Sequence, residues 1–322
     1  MGEFELIRRF FASAACAAGG EGIALGIGDD CALLQLPAGE QLAISTDTLV
    51  SGVHFPHAAD PFLLGQRALA VSVSDLAAMG AAPVAFTLAL TLSEARPDWL
   101  EGFARGLCAM AQGCGIGLVG GDTTRGPLSL TLTVFGRLPA GQALTRAGAR
   151  AGDLLCVGGS LGDGAGALPL VLGERQDSGA EADYLLQRYW APQPQLALGQ
   201  ALRGRATAAL DISDGLLADC GHIAAASGVA LWIDIARLPL SAALAGLHSR
   251  DFALNCALSG GDDYRLAFTL PADELAAVQA AWPEVAVIGR VEAGQGVHLL
   301  DAAGQAVQPS ALGYQHFGSQ GD

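Results

Sequence analysis

Lysine is absent from this 322-residue chain: all 17 basic residues are arginine. That absence excludes a P-loop lysine, a protein-kinase lysine and any Schiff-base lysine. Phosphoryl chemistry would have to rest on metal ions, arginine and backbone donors. Charge is scarce and one-sided: 15% of residues are charged, and 32 acidic against 17 basic residues leave −15. A chain of that sign repels phosphate backbones and anionic headgroups, so no nucleic-acid or membrane partner is expected. Metal cations would still let it handle phosphates. No CxxC, HxH or HExxH spacing occurs, which removes the usual zinc sites. The seven cysteines (Cys16, Cys31, Cys108, Cys114, Cys156, Cys220, Cys256) are odd in number and lack pair spacing. They are expected to be reduced apolar fillers in a cytoplasmic protein.

What is present is apolar residues and glycine. At 51% hydrophobic, the chain can fill the cores of about two domains. Its 44 glycines are about 14% of residues, against roughly 7% on average, and mark tight loops. The uncharged run Leu76 to Ser93 is long enough to raise the question of a membrane span. Gly80, Pro83 and three hydroxyl residues instead predict a helix end, a turn and a buried strand over Val84–Leu92. Arg8-Arg9 and the alanine-rich stretch after them, with Glu3 and Glu5 before, predict an amphipathic N-terminal helix rather than a twin-arginine signal.

Five apolar, strand-like segments run into aspartates: Leu25–Gly28 into Asp29-Asp30, Leu42–Thr46 into Asp47, Ile116–Gly121 into Asp122, Ala208–Leu210 into Asp211, and Leu258–Gly261 into Asp262-Asp263. One such aspartate is a turn former or helix cap. Five suggest strand ends sharing a cleft. Clustered carboxylates repel one another and protonate unless a cation lies between them, and Mg²⁺ commonly joins carboxylates to phosphates.

Asp60-Pro61 predicts a helix start and Gly80 its stop. On that helix Leu64, Ala68, Val71, Asp75 and Ala78 share a face. Asp75 therefore needs a partner, either a cation or a hydrogen-bonding group. Asp211–Leu217 predicts a strand, a cap at Ser213 or Asp214, and a helix to about Ala226, whose N-terminus could meet a phosphate. Gly158–Gly166, after the strand Leu154–Val157, reads equally as a phosphate cradle or a close-packed turn. Gly120–Gly126 reads as a tight polar loop between strands. Arg146 and Arg150 are possible phosphate clamps.

Together these segments closely resemble the thiamine-monophosphate kinases of the aminoimidazole ribonucleotide synthetase-like superfamily. The carrying stretches are Ile27–Ala32, Ser45–Phe55, Val73–Gly80, Gly120–Gly126, Asp211–Leu216, Ser259–Leu266 and Gly313–Phe317. The resemblance implies an α/β (α+β) fold of two domains, residues 1–150 binding ATP and Mg²⁺ and dimerising, and 151–322 forming a C-terminal α/β domain. N-terminal sheets would pair across a homodimer. By motif position, metal ligands fall on Asp30, Ser45, Thr46, Asp47, Asp75, Asp122, Asp211 and Asp214. ATP contacts fall on Asp30, Gly121, Asp122, Arg146 and Ser213. Thiamine phosphate contacts fall on His54, Asp262 and Tyr314.

Two departures stand out. The family commonly has Gly-Glu-Asp-Tyr-Glu-Leu where this chain has Gly261-Asp262-Asp263-Tyr264-Arg265-Leu266. Asp262 is one methylene shorter, and Arg265 reverses a charge and is expected at the surface. The activity implied is ATP-dependent conversion of thiamine monophosphate to thiamine diphosphate by direct in-line transfer with several Mg²⁺ ions and no covalent intermediate. The alternatives are another ATP-using enzyme of the superfamily or a metal-dependent phosphohydrolase.

Overall fold

The computed structural model describes residues 3–17, 19–308 and 313. The chain divides into two compact units, one running to Ala143 and taking in Trp190–Leu196, the other comprising Leu144–Tyr189 and the chain from Ala197. The mixed α/β architecture is the one implied by the resemblance.

In the first unit a small ladder, β1 (Ile23–Leu25) with β2 (Leu33–Leu34), accompanies a four-stranded sheet. That sheet contains β3 (Glu40–Val50), β4 (Ala82–Leu92), β5 (Gly117–Arg125) and β6 (Ser129–Pro139), in the order β3-β6-β4-β5. Only β4 and β5 run parallel. Alternation decides the faces. Leu130, Leu132, Val134, Gly136 and Leu138 of β6 are buried, while Thr131, Thr133, Phe135 and Arg137 between them are half-buried. The inner face packs on the Pro61–Ala78 helix, which packs in turn on the Pro97–Cys114 helix. Those helices approach closely because Gly65 and Gly106 have no side chains. A Cβ at Gly106 would lie 1.9 Å from the Phe62 carbonyl oxygen. The opposite sheet face carries Leu42 and Ile44, 40% and 59% exposed, and the cross-strand hydroxyl pairs Thr46–Thr133 and Thr48–Thr131, both 2.9 Å.

The Pro61–Ala78 helix forms as its ends predict. Asp60 Oδ1 accepts from the N–H groups of Phe62 and Leu63 at 2.9 and 3.1 Å. The uncharged Leu76–Ser93 run is the end of this helix, a turn and β4. Among the described residues no helix is long and apolar enough to cross a membrane.

The N-terminus differs from a regular amphipathic helix. Glu3–Leu6 is one α-turn, Ile7–Ala12 is a π-helix and Ala15–Ala17 a 3₁₀ turn. This places buried Cys16 beside Cys108 of the Pro97–Cys114 helix, and the two sulfurs are bonded, with Cα atoms 5.1 Å apart. The expectation of seven reduced cysteines is corrected here. Ninety-two residues separate the pair, so only tertiary packing reveals it.

The second unit is built on a seven-stranded sheet of β7 (Leu154–Val157), β8 (Ala208–Asp211), β9 (Ala230–Asp234), β10 (Leu266–Leu270), β11 (Ala286–Glu292), β12 (Gly296–Leu300) and β13 (Ala306–Val307). Their order is β13-β12-β9-β11-β7-β10-β8, antiparallel except for β9 with β12. Leu155, Leu210, Leu216, Ile223, Leu231 and Ile288 belong to its core.

The strand-end pattern is only partly realised. Asp211 ends β8, but Asp47 lies within β3 and Asp122 within β5, and Asp262-Asp263 follow a helix (Arg250–Ser259). An antiparallel ladder with β6 carries β3 through Asp47, and a parallel ladder with β4 carries β5 through Asp122, since strand pairing outweighs the turn preference of the acid. Gly120–Arg125 is accordingly strand rather than a hairpin loop.

Candidate functional site

The first unit holds a cavity of about 790 Å³. Its wall includes Asp29-Asp30-Cys31 from the loop after β1, Gly120–Thr123 of β5, Thr87 and Leu88 of β4, and Ile7, Arg8, Phe11 and Ala12. Three predicted residues, Asp30, Gly121 and Asp122, thus share one cavity. Gly121 is required there for a physical reason. Its φ is +150°, and a Cβ would stand 1.9 Å from the Leu88 carbonyl oxygen. The bare backbone lets β5 pass close to β4 while leaving the cavity wall open.

Ser45, Asp47 and Asp75 form a second group in the same unit. Ser45 and Asp47 lie two residues apart on the inner face of β3. Ser45 Oγ donates to Asp75 Oδ2 on the facing helix. Burial pushes the Asp47 carboxyl up to about 6, the Asp75 charge adds to the rise, and a hydrogen bond from Ser72 opposes it. Ser72 escaped the sequence reading, although it stands one turn before Asp75. Thr46 points to the other face of the sheet, where its hydroxyl pairs with Thr133. Its side chain is not gathered with Ser45 and Asp47.

These residues fit a hard divalent cation. Two carboxylates destabilise each other's charge, a hydroxyl adjoins them, and a cation would relieve the repulsion. Among the described residues no three His, Cys, Asp or Glu side chains converge as a closed metal cage.

His54 lies in the turn after β3. Val50 N–H donates to its Nδ1 at 3.0 Å, which puts the proton of the neutral ring on Nε2.

In the second unit two predicted segments run side by side. The Asp262 N–H donates to the Ser213 carbonyl at 2.9 Å, Tyr264 N–H to the Ile212 carbonyl at 2.8 Å, and Ile212 N–H to the Arg265 carbonyl at 2.9 Å. Asp262 and Tyr264 both have left-handed backbone, φ +59° and +48°, and the Tyr264 hydroxyl donates to Asp262 Oδ1 at 2.9 Å. Side chains rarely adopt this conformation, and where they do the site is often functional.

Neither Ser213 nor Asp214 caps the Leu216–Ser227 helix. Its N-cap is Gly215, and buried Asp219 in the first turn reaches back instead. Asp219 Oδ2 accepts from the N–H groups of Ser213, Asp214 and Gly215 at 3.0, 3.1 and 3.2 Å. Those donors are therefore already engaged, which weakens the helix-terminus phosphate reading. Burial lifts Asp219 to about 6, the three N–H bonds pull it down and the Asp214 charge pushes it up. Asp219 was legible only as one more acidic residue in a first turn.

Asp211 is buried at the end of β8. Arg146 is exposed, and its carbonyl accepts from Ser227 Oγ at 3.1 Å. Gly313 lies against Asp214 and Ala218. Tyr314 falls outside the described residues. The Gly158–Gly166 loop is a close-packed turn. The Gly158 N–H donates to Leu266, that of Leu161 to Pro239, and that of Gly162 to both oxygens of Asp263.

Arg265 is not at the surface. It is half-buried, its Nε is buried without a hydrogen-bond partner, and Gly159 leaves room for it. Burial and the Arg188 charge lower it to about 10. The Asp163 and Asp263 carboxylates beside it act in the opposite direction and keep a second arginine tolerable there.

The N-terminal domain model of the AIR synthase related proteins matches residues 28–138, and the C-terminal domain model matches residues 150–301. The thiamine-monophosphate kinase of Escherichia coli K12 is 46% identical over 321 residues, covering 98% of each chain. The crystal structure of thiamine-monophosphate kinase from Stenotrophomonas maltophilia K279a aligns with a TM-score of 0.83 at 50% identity, covering 89% of this chain and 93% of that one. AaThiL complexed with AMPPCP and TMP aligns with a TM-score of 0.78 at 32% identity, covering 88% and 89%.

Proposed function

The chain belongs to the thiamine-monophosphate kinases, within the AIR synthase related proteins, and on that premise we propose that it phosphorylates thiamine monophosphate to thiamine diphosphate at the expense of ATP. The observation that carries the reading is the 46% identity sustained over 98% of both chains. The solved relative bound to AMPPCP and TMP supports the two substrates.

A phosphate oxygen of thiamine monophosphate attacks the γ-phosphorus in line. The bond from that phosphorus to the β–γ bridging oxygen breaks, and ADP leaves. The nucleophile is already ionised at neutral pH, so no strong general base is required. The task left to the protein is to bring two polyanions together in line. Asp30 and Asp122, on the cavity wall, would carry the metal-bound polyphosphate, with Gly121 allowing its close approach. Asp47, Asp75 and Ser45 would hold a second Mg²⁺, and Asp211 and Asp214 a further share of the metal. Thr46 would contribute through its backbone carbonyl, since its side chain faces the other way. Bound Mg²⁺ supplies charge neutralisation for the phosphoryl oxygens. Arg146 and Ser213 would contact ATP, and His54, Asp262 and Tyr314 the thiamine phosphate. The Tyr264 hydroxyl, bonded to Asp262 Oδ1, would hold that carboxylate in one orientation.

Product analysis tests the proposal. Purified protein with MgATP and thiamine monophosphate is expected to form thiamine diphosphate in step with ADP, and to stop when EDTA is added. ATP consumption without thiamine diphosphate would point to another acceptor. Release of inorganic phosphate alone would point to a phosphohydrolase.

A further inference from the structure

We propose that Arg8 binds the nucleotide's polyphosphate, and that the Ile7–Ala12 segment carrying it is a built wall of the nucleotide site. The inference rests on the cavity being the ATP site, as proposed above. Among the described residues lining it, Asp29, Asp30 and Asp122 are acidic and Arg8 is the one cation. A triphosphate entering among three carboxylates meets repulsion that metal ions relieve in part. A guanidinium relieves it further and adds directional donors to phosphate oxygens.

Cations are few in a lysine-free chain, and several in this unit are engaged elsewhere. Arg96 pairs with Asp98, Arg137 with Glu21 and Glu40, and Arg67 is buried in its helix. Arg9, adjacent in sequence, lies over the Phe10 ring, 5.0 Å from its centroid, and does not line the cavity. The doublet is therefore divided: Arg9 covers an aromatic ring and Arg8 faces the acidic cavity.

The segment is also held in place. Leu6, Phe10 and Phe11 are buried, Ser13 Oγ donates to the Arg9 carbonyl at 2.7 Å, and Cys16 is bonded to Cys108. The π-helical turn puts residues 7, 8, 11 and 12 on one wall, and such turns recur at functional sites. An anchored backbone leaves only the arginine side chain to be ordered when ligand binds, which favours a binding role.

The test uses the full chain with Arg8→Ala and Arg8→Lys, titrated with Mg²⁺ and a methylene-bridged ATP analogue. Cys31 gives a second readout, because its exposed thiol lines the same cavity and bound nucleotide should slow its alkylation. Arg8→Ala is expected to weaken analogue binding by about ten- to a hundredfold. The KM for thiamine monophosphate and the unfolding midpoint should not change, and Arg8→Lys should recover part of the loss. Protection of Cys31 should fail in Arg8→Ala at analogue concentrations that protect the unaltered chain. Unchanged affinity in Arg8→Ala overturns the proposal. So does a loss accompanied by a lowered unfolding midpoint in both variants, which marks a structural role. If the unaltered chain neither binds the analogue nor protects Cys31, the nucleotide-site reading itself fails.

Discussion

Asp47 shows how one residue trades stability for function. Its carboxyl is raised to about 6 by burial first and by Asp75 second, so the charged form is disfavoured in the fold. Asp47→Asn removes that repulsion. The variant is expected to lose roughly 100-fold or more of its activity, while its metal-free unfolding midpoint rises or holds. Parallel rate and thermal-melt measurements check both halves, and a variant that loses both activity and stability would assign Asp47 a structural role. The position of Asp47 was readable from its motif. The shift was not, because it arises from a helix whose residues lie about 25 positions further on. Arg265 gives the opposite lesson. As an isolated arginine it reads as surface, yet the fold draws it against Gly159 and two buried carboxylates.

Among the loops and turns, the Ser213–Gly215 segment is held by a single buried acceptor. Asp219→Ala would strand three backbone donors, at a cost of about 1–3 kcal/mol. A weaker KM for ATP should accompany that loss, measurable beside the unfolding free energy. The same element contributes to a pH dependence. Asp219 is raised to about 6 and buried Asp263 to about 7, against ordinary values of 3.8. For Asp263 the cause is burial, then the Asp163 charge, with the Gly162 N–H bonds and Arg188 opposing. A raised carboxyl means the folded chain binds protons that the unfolded chain has released. The stabilisation from these groups is therefore fullest below about pH 4 and fades as pH rises towards 7. In metal-free buffer the unfolding midpoint should decline from pH 5 to pH 8, and Asp263→Asn should flatten the upper part of that decline. A midpoint that climbs across this range would refute the assignment. The helix caps at Asp60 and Gly80 were legible because capping is a local rule. The Asp219 bonds were not, because the acceptor sits inside the helix it caps.

For the whole molecule, the sheet face opposite the helices leaves Leu42 and Ile44 exposed on an edge strand. We propose this face as the pairing surface of a homodimer. Sedimentation at micromolar concentration should show a dimer, and Ile44→Asp should shift it towards monomer without lowering the unfolding midpoint of the separated chain. The Cys16–Cys108 link closes a long loop, and such a crosslink contributes up to about 4–5 kcal/mol by restricting the unfolded chain. Mass analysis after alkylation without reductant should find these two thiols blocked, and reductant should lower the unfolding midpoint. By itself the sequence determined the lysine-free, acid-rich chemistry, the capped Asp60–Gly80 helix, the two-domain mixed α/β class and the family, because composition, capping and motif spacing are written locally along the chain. Only the tertiary structure decided that Asp47 and Asp122 stand within strands, that Thr46 turns away from Ser45 and Asp47, that Cys16 meets Cys108 and that Arg8 lines an acidic cavity. Each of these depends on pairing or packing between residues distant in the chain, and no local pattern records which distant partner a residue will meet.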